Sequence, residues 1–232
     1  MGDRICEGLR SRAGLGGRSE RVMNFFHFIM QNRGQVLELT LEHLWLVGVS
    51  TLLAVLVGIP LGIMIARWPR WNKPVLAAAN IIQTIPSLAL FGFLLPVPWL
   101  GERVERLAIL ALTLYALLPV IRNTYTGIRG VDPAVVEAGR GMGLTDRQLL
   151  FWVELPLALS VILSGVRIAV VISVGLATIA AAIGAGGLGE FIFRGLAMVN
   201  NQVILAGAVP AAILALLADT SLGWLERRLR PQ

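Results

Sequence analysis

Four uncharged runs, at positions 44–66, 74–101, 168–189 and 195–218, limit what this chain can become more than any other feature. Each is long enough to cross a bilayer, which takes about 20 apolar residues in a helix. A fifth run, 107–121, is shorter but continues apolar beyond Arg122 to Ile128, so five spans are expected. Lipid offers no partner to backbone N–H and C=O groups, so a span must satisfy them internally, which favours helices over open sheets. The expected fold class is therefore an all-α integral membrane protein. Composition agrees: 56% of residues are hydrophobic and 15% charged, against about 25% charged in soluble domains.

Lysines and arginines in short loops orient such a chain. With the polar stretch 132–156 on the cytosolic side, ten Lys and Arg between Arg67 and Arg230 share that side, and only Arg103, Arg106 and Arg194 fall in the two outer loops. This predicts the N-terminus outside and the C-terminus in the cytosol. It also explains the net charge of +6 by topology instead of nucleic-acid binding. One cysteine, Cys6, and two scattered histidines, His27 and His43, supply neither a disulfide framework nor a metal cluster. Both histidines are expected at an interface or surface, and no cofactor is called for.

Residues 1–22 fit this scheme poorly, because they carry five arginines on the disfavoured side and no apolar period. They are expected to be a non-native or disordered extension, with Met23 as the natural start. Residues 23–39, which include three phenylalanines in a stretch too short to span, are expected in the outer interface as an amphipathic segment. The transmembrane domain is then 40–225, followed by a basic cytosolic tail, 226–232.

The most informative polar stretch is 132–156. Asp132 is a helix N-cap followed by Pro133 at the first helical position, where a missing N–H costs nothing, and the helix should stop near Gly141 or Gly143. Thr145 with Gln148 three residues on forms a capping box for a second helix, and Pro156 should close it. The pattern is Glu137-Ala138-Gly139, three residues, Gly143, nine residues, then Val153-x-Leu155-Pro156. It resembles the EAA loop of ABC-importer permeases, with Gly139 for the second Ala and Val153 for Ile. In that family the loop is a cytosolic hairpin that engages an ATPase. The resemblance implies that Glu137, Ala138, Gly139, Arg140, Gly143, Leu155 and Pro156 form the coupling surface. Small residues would let a partner approach closely, and Glu137 and Arg140 would bond its polar groups.

Within the second run, Asn80, Gln83, Thr84 and Ser87 surround Pro86. Polar groups and helix breakers at membrane depth persist where they face protein or water. These four, with Tyr115 opposite in the third span, are the candidate translocation pathway; the alternative is that they only cross-link helices. The segment from Asn80 to Leu94 resembles permeases of osmoprotectant importers, which carry glycine betaine, carnitine and choline. So does Gly184-Ala-Gly-Gly-Leu-Gly189. That hexapeptide also satisfies the dinucleotide pattern G-x-G-x-x-G, but no strand precedes it and an apolar span surrounds it, so a tight outer turn is expected instead. Arg167, the cation inside a span body, should lie near the cytosolic surface, either snorkelling or in a salt bridge.

The resemblance covers about residues 40–225. It implies the type I (MetI-like) ABC importer permease fold, a dimer with an identical or paralogous second permease subunit, a cytosolic ABC ATPase dimer and an extracytoplasmic solute-binding protein, all in a bacterial cell (inner) membrane. No G-x-x-x-x-G-K-[ST] occurs, so ATP phosphates would be held by another subunit. The expected function is the permease subunit of a compatible-solute importer, without catalytic residues. The alternatives are a permease for another small solute, such as an amino acid or related betaine, and a secondary transporter or channel.

Overall fold

The computed structural model describes residues 27–98 and 102–229, so the expectations for 1–22 and for the ends of the neighbouring segments lie outside the described residues. The first span helix, α1, runs Arg33–Arg67. A 3₁₀ turn, Pro69–Trp71, leads into α2, Asn72–Thr84, and α3, Ser87–Leu94. Next come α4, Val104–Arg129, and the hairpin helices α5, Pro133–Gly141, and α6, Asp146–Leu149. A π-helical turn, Leu150–Glu154, joins α6 to α7, Leu155–Ala180. A 3₁₀ turn, Ala181–Ile183, then leads to α8, Gly189–Ala197, and α9, Asn201–Arg228.

Among the described residues, four helices are long and apolar enough to cross a membrane: α1, α4, the continuous stretch 146–183, and α9. The fifth expected span is the pair formed by 69–84 and 87–94, bent by 97°. Pro86 is the cause. It lacks the N–H that would continue the helix and forces the preceding residue extended, and Ile85 has ψ 127°.

Helix α4 is the centre of the bundle, packed by α1 on one side and α7 on another. The approach is close because glycines face it from both sides. A Cβ on Gly62 of α1 would sit 2.5 Å from Thr124 Cβ, and one on Gly165 of α7 would sit 2.7 Å from the Pro119 carbonyl. Without a hydrophobic force between helices in lipid, such small-residue contacts let van der Waals packing hold the bundle together. Leu107, Leu112 and Phe91 fill the core between α3, α4 and α1.

Several expectations change at the element ends. Helix α1 starts at Arg33, so part of the 23–39 segment continues the first span; its charged residues do not break a helix whose inward side still carries Leu39 and His43. The expected last span, 195–218, is cut at Met198–Asn200. There Val199 takes φ 50°, and Asn200 caps a new helix by accepting from the Gln202 N–H at 3.0 Å. His43, expected at a surface, is fully buried. Gly187 has φ 78°, and its missing side chain lets the glycine-rich turn close over the imidazole: a Cβ there would lie 3.2 Å from Nδ1. The Gly187 N–H donates to Glu42 Oε2 at 2.9 Å, which ties that turn to α1.

Candidate functional site

Both halves of the hairpin form as their caps dictate. The Asp132 carboxylate accepts from the Ala134 N–H at 2.8 Å, and Thr145 and Gln148 satisfy each other's backbone reciprocally. Glu137, Ala138 and Arg140 are exposed on α5. Gly139 is buried, and its role differs from the expected opening for a partner: a Cβ there would lie 2.7 Å from Leu149 Cδ1, so the glycine seats the hairpin on its own second helix. Gly143 differs as well. Space around it is open, and the requirement is conformational, because its φ is 83°.

Pro156 does not close the second hairpin helix as its position predicts; the chain continues as helix through it into α7. The preceding turn widens, with the Leu155 N–H bonded to the Leu150 carbonyl five residues back. A widened turn accommodates both the missing N–H of a proline and its ring, which would otherwise strike the carbonyl four residues earlier. Leu155 itself is half-buried beside Ala158 and Ile162.

The same turn brings in a residue that the sequence pattern does not single out. Glu154 is 5% exposed, and its Oε2 accepts from Arg67 Nη2 at 2.6 Å. Arg67 is the last residue of α1, and it also reaches the Asp146 carbonyl at 3.4 Å. A lone charged residue in the otherwise uncharged 149–165 is the available signal. The ion pair borders a cavity of ≈ 300 Å³ between the hairpin and the span ends, where Glu137, Arg140 and Arg129 also lie.

At the broken span, the structure brings Gln83 and Tyr115 of the candidate pathway into one network. Gln83 Nε2 donates to the Tyr115 carbonyl at 3.0 Å, and the Tyr115 hydroxyl donates to the Ile85 carbonyl at the break. Asn80 is held separately, its Oδ1 accepting from Arg122 Nη2 at 2.9 Å. Thr84 is exposed and bonds within its own helix, to Ile81 O at 2.7 Å. Ser87, half-buried, opens α3. Arg167 bridges α7 to α9, with Nε 3.4 Å from Asp219 and Nη1 3.2 Å from Glu226.

Five spans, one of them broken, and a capped hairpin between the third and fourth define a recognisable architecture. The profile of the family described as "Binding-protein-dependent transport system inner membrane component" matches residues 58–231. The chain belongs to this family. The permease is similar to the glycine betaine/carnitine/choline transport system permease protein OpuCD of Bacillus subtilis (strain 168), 49% identical with 88% of each chain covered. It is 46% identical to the carnitine transport permease protein OpuCD of Listeria monocytogenes serotype 1/2a (strain 10403S), over 91% of this chain and 94% of that one. Among solved structures, an inward-facing methionine ABC transporter, MetNI, matches with a TM-score of 0.76 and 24% identity, covering 85% of this chain and 97% of that chain. That similarity shows the fold, a type I importer permease. Membership of the family makes the chain a transport subunit and implies ATPase and solute-binding partners.

Proposed function

We propose that this permease, paired with an identical or paralogous second subunit, forms the pathway of an ATP-driven importer for glycine betaine, carnitine, choline or a similar quaternary amine. What carries the reading is the pair of permeases named for those solutes at 49% and 46% identity over nearly the whole chain. The hairpin 132–156 faces the cytosol of a bacterial cell with the C-terminus on the same side, and docks a subunit of an ABC ATPase dimer through Glu137, Ala138 and Arg140, with Gly139 and Gly143 shaping the hairpin that presents them and Leu155 and Pro156 at its root. Exposed Glu137 and Arg140 on a hairpin whose two helices are each capped support this role, since a rigid handle transmits force without refolding. A binding protein outside the membrane delivers the solute.

The solute passes Asn80, Gln83, Thr84, Ser87 and Tyr115. Half-buried Gln83 and exposed Thr84 lie at the break, and irregular backbone at membrane depth persists beside protein or a water-filled path, which supports a pathway there. Neutral dipoles and an aromatic ring would hold a quaternary amine weakly enough to release it.

The test is uptake of radiolabelled glycine betaine by proteoliposomes containing the permease, its ATPase and its binding protein. Uptake that requires ATP and binding protein supports the reading. Preference for methionine, or uptake without ATP, would overturn it. Cysteines replacing Gln83, Thr84 and Tyr115 singly in a Cys6→Ser background should react with a water-borne thiol reagent in one nucleotide state and be shielded in another.

A further inference from the structure

A hairpin that receives an ATPase must pass its displacement to the spans, and the first span is separated from it in the chain by the second and third. An apolar cluster that joins Ala66 to Leu150 and Leu155 spans that gap, and one polar side chain crosses it with directed bonds. Arg67, the last residue of α1, bonds the carbonyl of Asp146 at the start of the second hairpin helix and the carboxylate of Glu154 at the end of the turn that follows, so it grips both ends of the segment 146–154. The pair with Glu154 is short, 2.6 Å, with Glu154 buried and Arg67 half-buried, at side-chain exposures of 7% and 28%. Removing Arg67 leaves the Glu154 carboxylate buried without its cation, so separating the two is costly.

The widened turn explains why Glu154 is available. An α-helical residue step rotates a side chain by about 100°, and the turn at 150–154 accommodates Pro156 by departing from that step. Phe151 and Trp152 are thereby left exposed at 62% and 66% while Glu154 is turned inward. A π-turn that directs one buried acid at one arginine on another span is a specific arrangement, and such turns cluster at functional positions.

We infer that the Arg67–Glu154 pair is the link through which the hairpin moves the first span, making both residues positioning residues for the coupling of ATP hydrolysis to transport. This rests on the reading that the hairpin docks the ATPase.

The test uses the reconstituted importer with its ATPase and binding protein and radiolabelled glycine betaine. The variants are Arg67→Gln, Glu154→Gln, Arg67→Lys and the exchange Arg67→Glu with Glu154→Arg. The neutral variants should retain ATPase association and binding-protein-stimulated hydrolysis near the wild-type level. Their uptake per ATP should fall about tenfold or more, within the range of coupling energies between sites. Arg67→Lys should recover most of it, and the exchange, which restores the ion pair but not the bond to the Asp146 carbonyl, should recover part. Wild-type uptake per ATP in both neutral variants overturns the inference, as does loss of ATPase association in Arg67→Gln, which would make the pair a support for docking alone. A second measurement keeps the native pair: spin labels at the exposed positions Trp68 and Trp152 should hold a constant separation with and without a non-hydrolysable ATP analogue. A change of several ångströms would show that hairpin and span move independently. Failure of the docking reading is recognised separately, by an Arg140→Glu variant that keeps its ATPase.

Discussion

Pro86 and Pro156 each remove one N–H from a helix in an apolar part of the chain, yet the chain bends by 97° at the first and continues as helix through the second. Ile85 is extended, with ψ 127°, whereas Leu155 keeps helical angles of φ −62° and ψ −47°. The neighbourhoods account for this. At Pro86 the Tyr115 hydroxyl covers the Ile85 carbonyl, and Gln83 bonds the Tyr115 carbonyl, so the carbonyl opened by the break is not left bare. At Pro156 the helix absorbs the defect by widening, and Arg67 holds the widened turn through Glu154. A proline sets where helical regularity fails; side chains on other helices decide whether the failure becomes a bend.

The largest effect on this contrast should come from Tyr115→Phe. It leaves a carbonyl at the break without its donor, at a cost of about 1–3 kcal/mol. Thermal unfolding in detergent should shift down by about 2–4 °C for each kcal/mol, and amide exchange should accelerate around 82–87. A variant as stable and as protected as wild type would mean that the break needs no cover.

Next is Gly143→Leu, which forces a branched side chain into φ 83° at a cost of about 1–2 kcal/mol. The protein should insert normally but lose copurification with its ATPase, while Gly143→Asn, a residue that tolerates this conformation, should retain it. Equal behaviour of the two variants would return the requirement to side-chain volume.

Pro156→Ala should cost less than about 1 kcal/mol, because the restored N–H compensates for the repacking. The turn should close to an ordinary α-helix and rotate Glu154 away from Arg67. A double-mutant cycle between positions 67 and 154 would then show little interaction in the Pro156→Ala background and a clear one in the native background.

The smallest effect belongs to Pro86→Ala. If Tyr115 and Gln83 hold the bend, it should survive the loss of the proline, and spin labels at the exposed positions Ala77 and Phe93 should give the native separation. A straightened span would assign the bend to the proline alone.

The hairpin was legible in the chain because its determinants are local. Asp132, Pro133, Thr145 and Gln148 act within three residues of themselves, and the structure returns their bonds as the spacing predicts. The long spans were legible from hydropathy for the same reason. The residues at the break were identifiable as unusual, but their partners were not: that Gln83 meets a carbonyl 32 positions away depends on how α2 packs on α4. Element ends failed where tertiary contacts overrode composition. Charged Arg33, Glu38 and Glu42 did not stop α1, and the apolar run 195–218 did not prevent a turn at Val199.

By itself the sequence determined that this chain lies in a membrane, that it spans with helices, where its hairpin starts and is capped, and which family of permeases it resembles, because these follow from solvent transfer and from interactions between near neighbours. Only the tertiary structure decided that the chain bends at Pro86 and not at Pro156, that Gly139 seats α5 on Leu149, that His43 is buried beneath the glycine-rich turn, and that Arg67 reaches Glu154. Each of those outcomes depends on contacts that near neighbours in the chain cannot supply alone, and those contacts exist only once the helices have packed.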